Sequence, residues 1–189
     1  METSRQFRVL DQTLSMHTVL RDRYGRRALF VDVLLIACSV VFCASAFASD
    51  QVLALFGRSP DRVRYLLRAF SVAAFMLSVV SLRVDWKGKS ASHRDAAAKM
   101  SRAVASFRRR QTDDGTWLPA CSAELDGVYW EAMHNSVPIP ENAFVRLKAR
   151  HLRKVELSKM LSSNPGCPLV ILRLVLVCSS LKRVFGKKK

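Results

Sequence analysis

"RRALFVDVLLIACSVVFCASAFASD", residues 26–50, is the stretch whose reading decides the fold. Sixteen residues from Val33 to Ala48 carry no charge, and the twenty-one from Ala28 to Ala48 carry only Asp32. As a helix this run reaches about 30 Å, the thickness of a bilayer's hydrocarbon core. A core helix of a soluble protein would keep a polar stripe, and this run has none. Ala46-Phe47-Ala48 has the small-x-small pattern of a signal-peptide cleavage site. Twenty-seven residues precede the run, however, more than an ordinary n-region, and the run itself is too long for an h-region. A retained span is the expectation.

A second run, "YLLRAFSVAAFMLSVVSLRVDW" at 65–86, holds fourteen uncharged residues between Arg68 and Arg83. Tyr65 and Arg68 can anchor one end, and Arg83 with Trp86 the other, by snorkelling and by placing aromatic rings at the headgroups. The connector "SDQVLALFGRSPDR" (49–62) carries helix breakers at Gly57 and Pro60, and its two acids balance its two arginines. Residues 1–27 hold six Arg against three acids, and Arg83, Lys87, Lys89 and Arg94 follow the second run. The excess of positive charge on cytoplasmic flanks places both termini in the cytoplasm and the short connector outside.

The expected fold class is therefore an all-α membrane protein: a two-transmembrane helical hairpin plus a basic cytoplasmic helical or coiled-coil domain. Its divisions are an N-terminal arm (1–27), the hairpin (28–86, spans about 28–48 and 65–84), a helical domain (87–165) with an acidic loop (111–140), and an apolar, basic end (166–189). Asp32 and Arg83 would lie near the cytoplasmic ends of antiparallel helices and can meet at similar depth. A carboxylate in hydrocarbon costs about 2.5–3.5 kcal/mol at a helix centre and less near the interface. Asp32 is then a snorkelling side chain, half of an ion pair with Arg83, or a pore-lining or gating carboxylate.

Residues 86–189 carry twenty Lys or Arg against eight acids, a net +12 of the chain's +16. Such an excess suits an anionic leaflet, nucleic acid or an acidic protein surface. Within it, His93, Ala97, Met100, Val104 and Phe107 recur at alternating four- and three-residue steps, forming one helical seam for core or assembly packing. Residues 111–140 reverse the charge, with Asp113, Asp114, Glu124, Asp126 and Glu131, and their glycines and prolines mark a loop enclosing a short helix at about 123–135. Trp117, Tyr129 and Trp130 are its aromatic anchors, for folding back on the basic helices or for docking a partner.

A further helix opens at Pro140-Glu141-Asn142 and stops at Asn164-Pro165-Gly166. Phe144, Leu147, His151, Val155 and Met160 are expected on one face. Arg146, Lys148, Arg150, Arg153, Lys154 and Lys159 cover much of the rest and make it the most concentrated basic helix of the chain. They are candidates, with Trp117 and Trp130, for contact with a partner or nucleic acid, although few aromatics interleave with them. The end, "CPLVILRLVLVCSSLKRVFGKKK", has fifteen residues from Cys167 to Leu181 with only Arg173 charged. About 22 Å of helix is short for a span, and a third span would export Lys187–Lys189. It is expected to pack in the bundle or on the inner leaflet.

Catalytic chemistry is nearly absent from the pattern. Five cysteines without CxxC spacing argue against a zinc site or a disulfide framework. Glu131-x-x-His134 is half of a di-iron motif that needs a second copy and two more carboxylates. No GxSxG, P-loop or GxGxxG occurs. No enzyme, cofactor or metal site is expected.

The arm, the tight hairpin, the helix beginning "DWKGKSASHRDAA" (85–97) and "LKARHLRKVELSKML" with its following Asn-Pro (147–165) together resemble the SLATT family of bacterial two-transmembrane antiphage effectors, over roughly residues 10–165. That resemblance implies an inner-membrane effector that oligomerises and permeabilises the membrane, causing abortive infection. It also implies a cytoplasmic controller: a retron reverse transcriptase with its multicopy DNA (msDNA), or a cyclic-nucleotide signal. The alternative from the residues alone is a non-toxic tether that scaffolds nucleic acid or a protein complex through the basic tail.

Overall fold

The structure, a computed structural model, describes residues 2–47, 60–112, 116–117 and 121–185. Its helices are α1 (Glu2–Phe47), α2 (Pro60–Val84), α3 (Trp86–Arg109), α4 (Ser122–His134), α5 (Glu141–Ser163) and α6 (Leu169–Phe185). Among the described residues there is no strand, only an isolated bridge between Gln111 and Trp117. Most of the connector at 49–59, Asp113, Asp114, Gly115, Pro119 and Lys187–Lys189 lie outside the described residues.

The arm and the first apolar run form one helix. Residues 2–47 contain no proline and a single glycine, Gly25, so nothing breaks the hydrogen-bond ladder across the polar-to-apolar change at 27–28. Between α2 and α3 the break is one residue long. Asp85 sits at φ 46°, the left-handed conformation that ends a helix and that aspartate tolerates better than most side chains. Its Oδ1 then accepts the Gly88 N–H at 2.9 Å, capping the next helix. A side chain at position 88 would collide with that capping carboxylate.

The chain divides into two compact units, Met1–His17 with Ala96–Lys189, and Thr18–Asp95. The first is built on a conventional core. Leu10 of α1, Met100, Ala103, Val104 and Phe107 of α3, and Leu125 and Ala132 of α4 are buried together. Phe7 packs on Phe107 at 6.1 Å and on Trp117 at 5.8 Å between ring centroids. Gln6 Nε2 donates to Asp126 Oδ1 at 2.6 Å, and Arg110 is paired with Glu124, so the acidic segment folds back on basic helices of its own chain. Helix α5 buries Ala143, Leu147 and His151, one residue per turn, and ends where Asn164 N–H bonds Met160 O and Leu161 O. Phe144, expected on that face, is 41% exposed.

The second unit inverts the usual pattern. Phe42 of α1 meets Phe70 of α2 at 5.8 Å, Asp32 meets Lys87, and the Ser90 hydroxyl donates to Arg21 O at 3.0 Å. As the α1 number falls the partner's number rises, which makes the pairing antiparallel: a helical hairpin. Apart from the buried Leu20, Ala28, Val31 and Cys38 and a few half-buried residues such as Leu35, Leu67 and Leu77, its large apolar side chains are exposed. Both long helices are long and apolar enough to cross a membrane; 17% of the most apolar window of α1 is buried and none of that of α2. A soluble core helix would be mostly buried. At about 37 Å, α2 exceeds a hydrocarbon core of about 30 Å, whereas α6 reaches only about 25 Å. Helix α6 packs on α5, buries Leu172 and exposes Leu169, Val170, Ile171, Leu174, Val175 and Val177.

The fully buried Phe107 should be the most costly ring to remove from the first unit. Phe107→Ala is expected to lower stability by about 3–5 kcal/mol, measured by denaturant titration in detergent with Trp117 fluorescence as a probe. Trp130→Ala, at a position 66% exposed, should stay within about 0.5 kcal/mol.

Candidate functional site

The polar residues next to the apolar bands of α1 and α2 form the candidate site. Asp32 Oδ2 lies 2.9 Å from Lys87 Nζ, with the two side chains 37% and 71% exposed. The expected neighbour, Arg83, is exposed and is not the cation on Asp32. The reason is local. The break at Asp85 starts a new helix, and it is the first turn of α3, not the last of α2, that brings a cation to the height of Asp32. Exposed ion pairs contribute little in water, about 0–1 kcal/mol, so the pair reports register more than stability.

One turn further from the apolar band, α1 and α3 approach closely. A Cβ at Gly25 would stand 3.3 Å from Ser90 Oγ, so the glycine permits the contact that the Ser90–Arg21 bond fixes. Tyr24 and His93 stack beside it, with centroids 5.6 Å apart and planes 4° from parallel. Burial pulls the His93 imidazole below its ordinary value of 6.5, because an apolar surrounding disfavours the charged ring.

The helical seam is buried in one chain. Met100, Val104 and Phe107 lie in the core, Ala97 is also buried, and His93 is closed by Tyr24. Within the single chain this seam is a folding surface. Trp117 is half-buried: its ring packs on Phe7 at a 50° tilt, and its Nε1–H donates to Phe107 O at 3.3 Å. Of the expected aromatic anchors only Trp130 stands out in solvent, with Tyr129 edge-on to it at 5.3 Å and packed on the core. Arg146, Lys148, Arg150, Arg153, Lys154 and Lys159 are all exposed along α5.

His151 Nε2 is 4.0 Å from Asp11 Oδ2, and its buried Nδ1 has no hydrogen-bond partner. Glu131 and His134 lie on α4, and no cluster of three or more His, Cys, Asp or Glu that could hold a metal occurs among the described residues. The residues that sequence reasoning overlooked are Lys87 as the partner of Asp32, and the arginines Arg21, Arg26 and Arg94 around the Gly25–Ser90 contact. Counting the antiparallel register outward from the two apolar runs would have found them. No family model, curated protein or solved structure matches the chain.

The buried His93 gives a pH dependence with a definite sign. The unfolded chain takes up this proton near pH 6.5 and the folded chain only at lower pH. Stability is therefore complete above pH 6.5 and falls as the pH drops below it. His93→Phe, which keeps a ring on Tyr24, should lose less of its thermal midpoint between pH 7 and pH 5 than the native chain. Equal losses would mean that another group drives the acid response.

Proposed function

We propose that this chain is a membrane-disrupting effector whose hairpin sits in the bacterial inner membrane, with both termini cytoplasmic. Copies associate there to permeabilise or depolarise it, and a cytoplasmic controller restrains them until infection. The observation that carries the membrane part is the outward apolar surface of α1 and α2, including Leu29, Phe30, Val33, Ile36 and Val40 on one and Leu66, Phe75, Met76 and Leu82 on the other. The effector part rests on the family resemblance and on a geometric requirement. Two helices cannot enclose a conducting path, so permeation needs several copies, which would meet through their spans. Asp32 is the carboxylate within the first apolar run, and such groups in membrane segments line wet paths or pair with cations.

The exposed cations of α5 favour a controller of opposite charge. A reverse transcriptase carrying msDNA offers a broad anionic surface, whereas a cyclic nucleotide needs a compact pocket. The same basic helix supports a second reading, a non-toxic tether that holds a nucleic acid or protein complex at the membrane.

Expression of the full chain without a controller in bacteria distinguishes the two. The effector collapses the membrane potential read by a voltage-sensitive dye. With membrane levels matched by blot, Asp32→Leu should insert at least as well, because it removes a desolvation penalty, yet depolarise less. Equal depolarisation by Asp32→Leu would reduce Asp32 to a snorkelling residue. An unchanged potential with the native chain would leave the tether.

A further inference from the structure

At the polar edge of the hairpin, α1 and α3 flank an open, shallow cleft of about 810 Å³ lined by Arg21, Asp22, Gly25, Arg26, Ser90 and Arg94. A second groove of about 360 Å³ adjoins it through Arg26, and is lined by Arg26, Arg27, Phe30, Val31 and Trp86. We infer that these two grooves form one binding site for an anionic glycerophospholipid, whose phosphate lies among Arg21, Arg26 and Arg94 and whose glycerol and upper acyl chain lie along Phe30, Val31 and Trp86. The inference rests on the membrane placement of the hairpin.

The charge balance favours an anion. Arg21 is held by Asp22, with Nε at 2.9 Å and Nη2 at 2.8 Å from one carboxylate oxygen, Oδ1. This leaves one cation of the pair neutralised. Arg26 uses Nε on the Asp22 carbonyl at 3.3 Å, so its terminal Nη groups stay available. Arg94 is exposed and makes no protein hydrogen bond or ion pair among the described residues. Two guanidinium groups thus remain unneutralised on one cleft, and planar guanidinium forks match phosphate oxygens in pairs.

Placement favours lipid over a soluble phosphate. The cleft begins where the apolar run of α1 ends, at Arg27–Ala28, and where α2 gives way to α3 at Trp86. Headgroup phosphates occupy that level of a bilayer, and an interfacial tryptophan belongs there. The second groove has an apolar wall beside its arginines, which a lipid needs and an inorganic ion does not. Gly25 and Ser90 hold the two helices close enough for arginines from both to share the cleft.

The test uses the full-length chain. Flotation with vesicles of pure phosphatidylcholine first measures insertion by itself. The thermal midpoint in a neutral detergent is then followed against added phosphatidylglycerol, phosphatidylcholine, or sodium phosphate at matched ionic strength. Phosphatidylglycerol should raise the midpoint at concentrations about tenfold below those at which phosphatidylcholine does. The double variant Arg26→Gln with Arg94→Gln should abolish that difference, a loss equivalent to about 1.4 kcal/mol. Arg94→Gln alone, at an exposed position without a protein partner, should lose part of it and keeps the experiment decisive if the double variant misfolds. Arg150→Gln with Arg153→Gln on α5 should keep the full difference. A preference retained without Arg26 and Arg94, or removed by the α5 changes, would overturn the site. Equal stabilisation by sodium phosphate would overturn the lipid assignment in favour of a soluble anion. A chain that floats but shows no lipid preference refutes this site alone, whereas one that fails to float refutes the membrane reading and the site with it.

Discussion

Sixteen large apolar side chains on α1 and α2, from Leu29 to Val41 and from Tyr65 to Leu82, stand exposed among the described residues. Burying such a side chain contributes about 1.5–3 kcal/mol, while a whole domain is stable by about 5–15 kcal/mol. Leaving the set in water would therefore forgo a gain larger than the whole net stability of a fold of this size. Lipid removes the conflict, because in hydrocarbon the outward side chains are solvated and the helical backbone satisfies its own hydrogen bonds. The other features of the Thr18–Asp95 unit follow from that constraint. Polar contacts gather at its edge, at Asp32–Lys87, Ser90–Arg21 and Tyr24–His93, where pairing of α1 with α3 replaces pairing of α1 with α2.

Much of this was legible in the sequence, for reasons that can be named. The two apolar runs and the limits of α5 were readable because Pro140, Asn164 and Pro165 act locally on the backbone. The short α4 was foreseen within a residue or two, since glycine and proline punctuation bounds it. The spacing of His93, Ala97, Met100, Val104 and Phe107 located a buried seam, but spacing cannot say whether the covering surface belongs to the same chain or another. Here it is Leu10, Phe7, Leu125 and Tyr24 of the same chain.

What the sequence hid depends on rotation and register between helices. Trp117 looked like an exposed anchor because its neighbours are turn-forming, yet Phe7, 110 positions away, provides its face. Phe144 follows Ala143, and a shift of one position around the helix exchanges a buried residue for an exposed one. Arg83 lost the place beside Asp32 to Lys87 because a single left-handed residue, Asp85, restarts the helix between them. The arginines lining the cleft are ordinary membrane-flanking charges in the sequence, and only the close contact of Gly25 with Ser90 gathers them.

The central claim is that the hairpin crosses a bilayer with α3–α6 and the start of α1 on one side. Site-specific labelling in intact bacteria tests it most directly. The five native cysteines are replaced by serine or alanine, and one cysteine is returned either at 59 in the connector or at its native position 121 before α4. A membrane-impermeant maleimide, with the outer membrane made permeable, should label the cysteine at 59 in intact cells. It should label Cys121 only after the inner membrane is opened. Labelling of Cys121 in intact cells, or protection of position 59 together with it, would contradict the account.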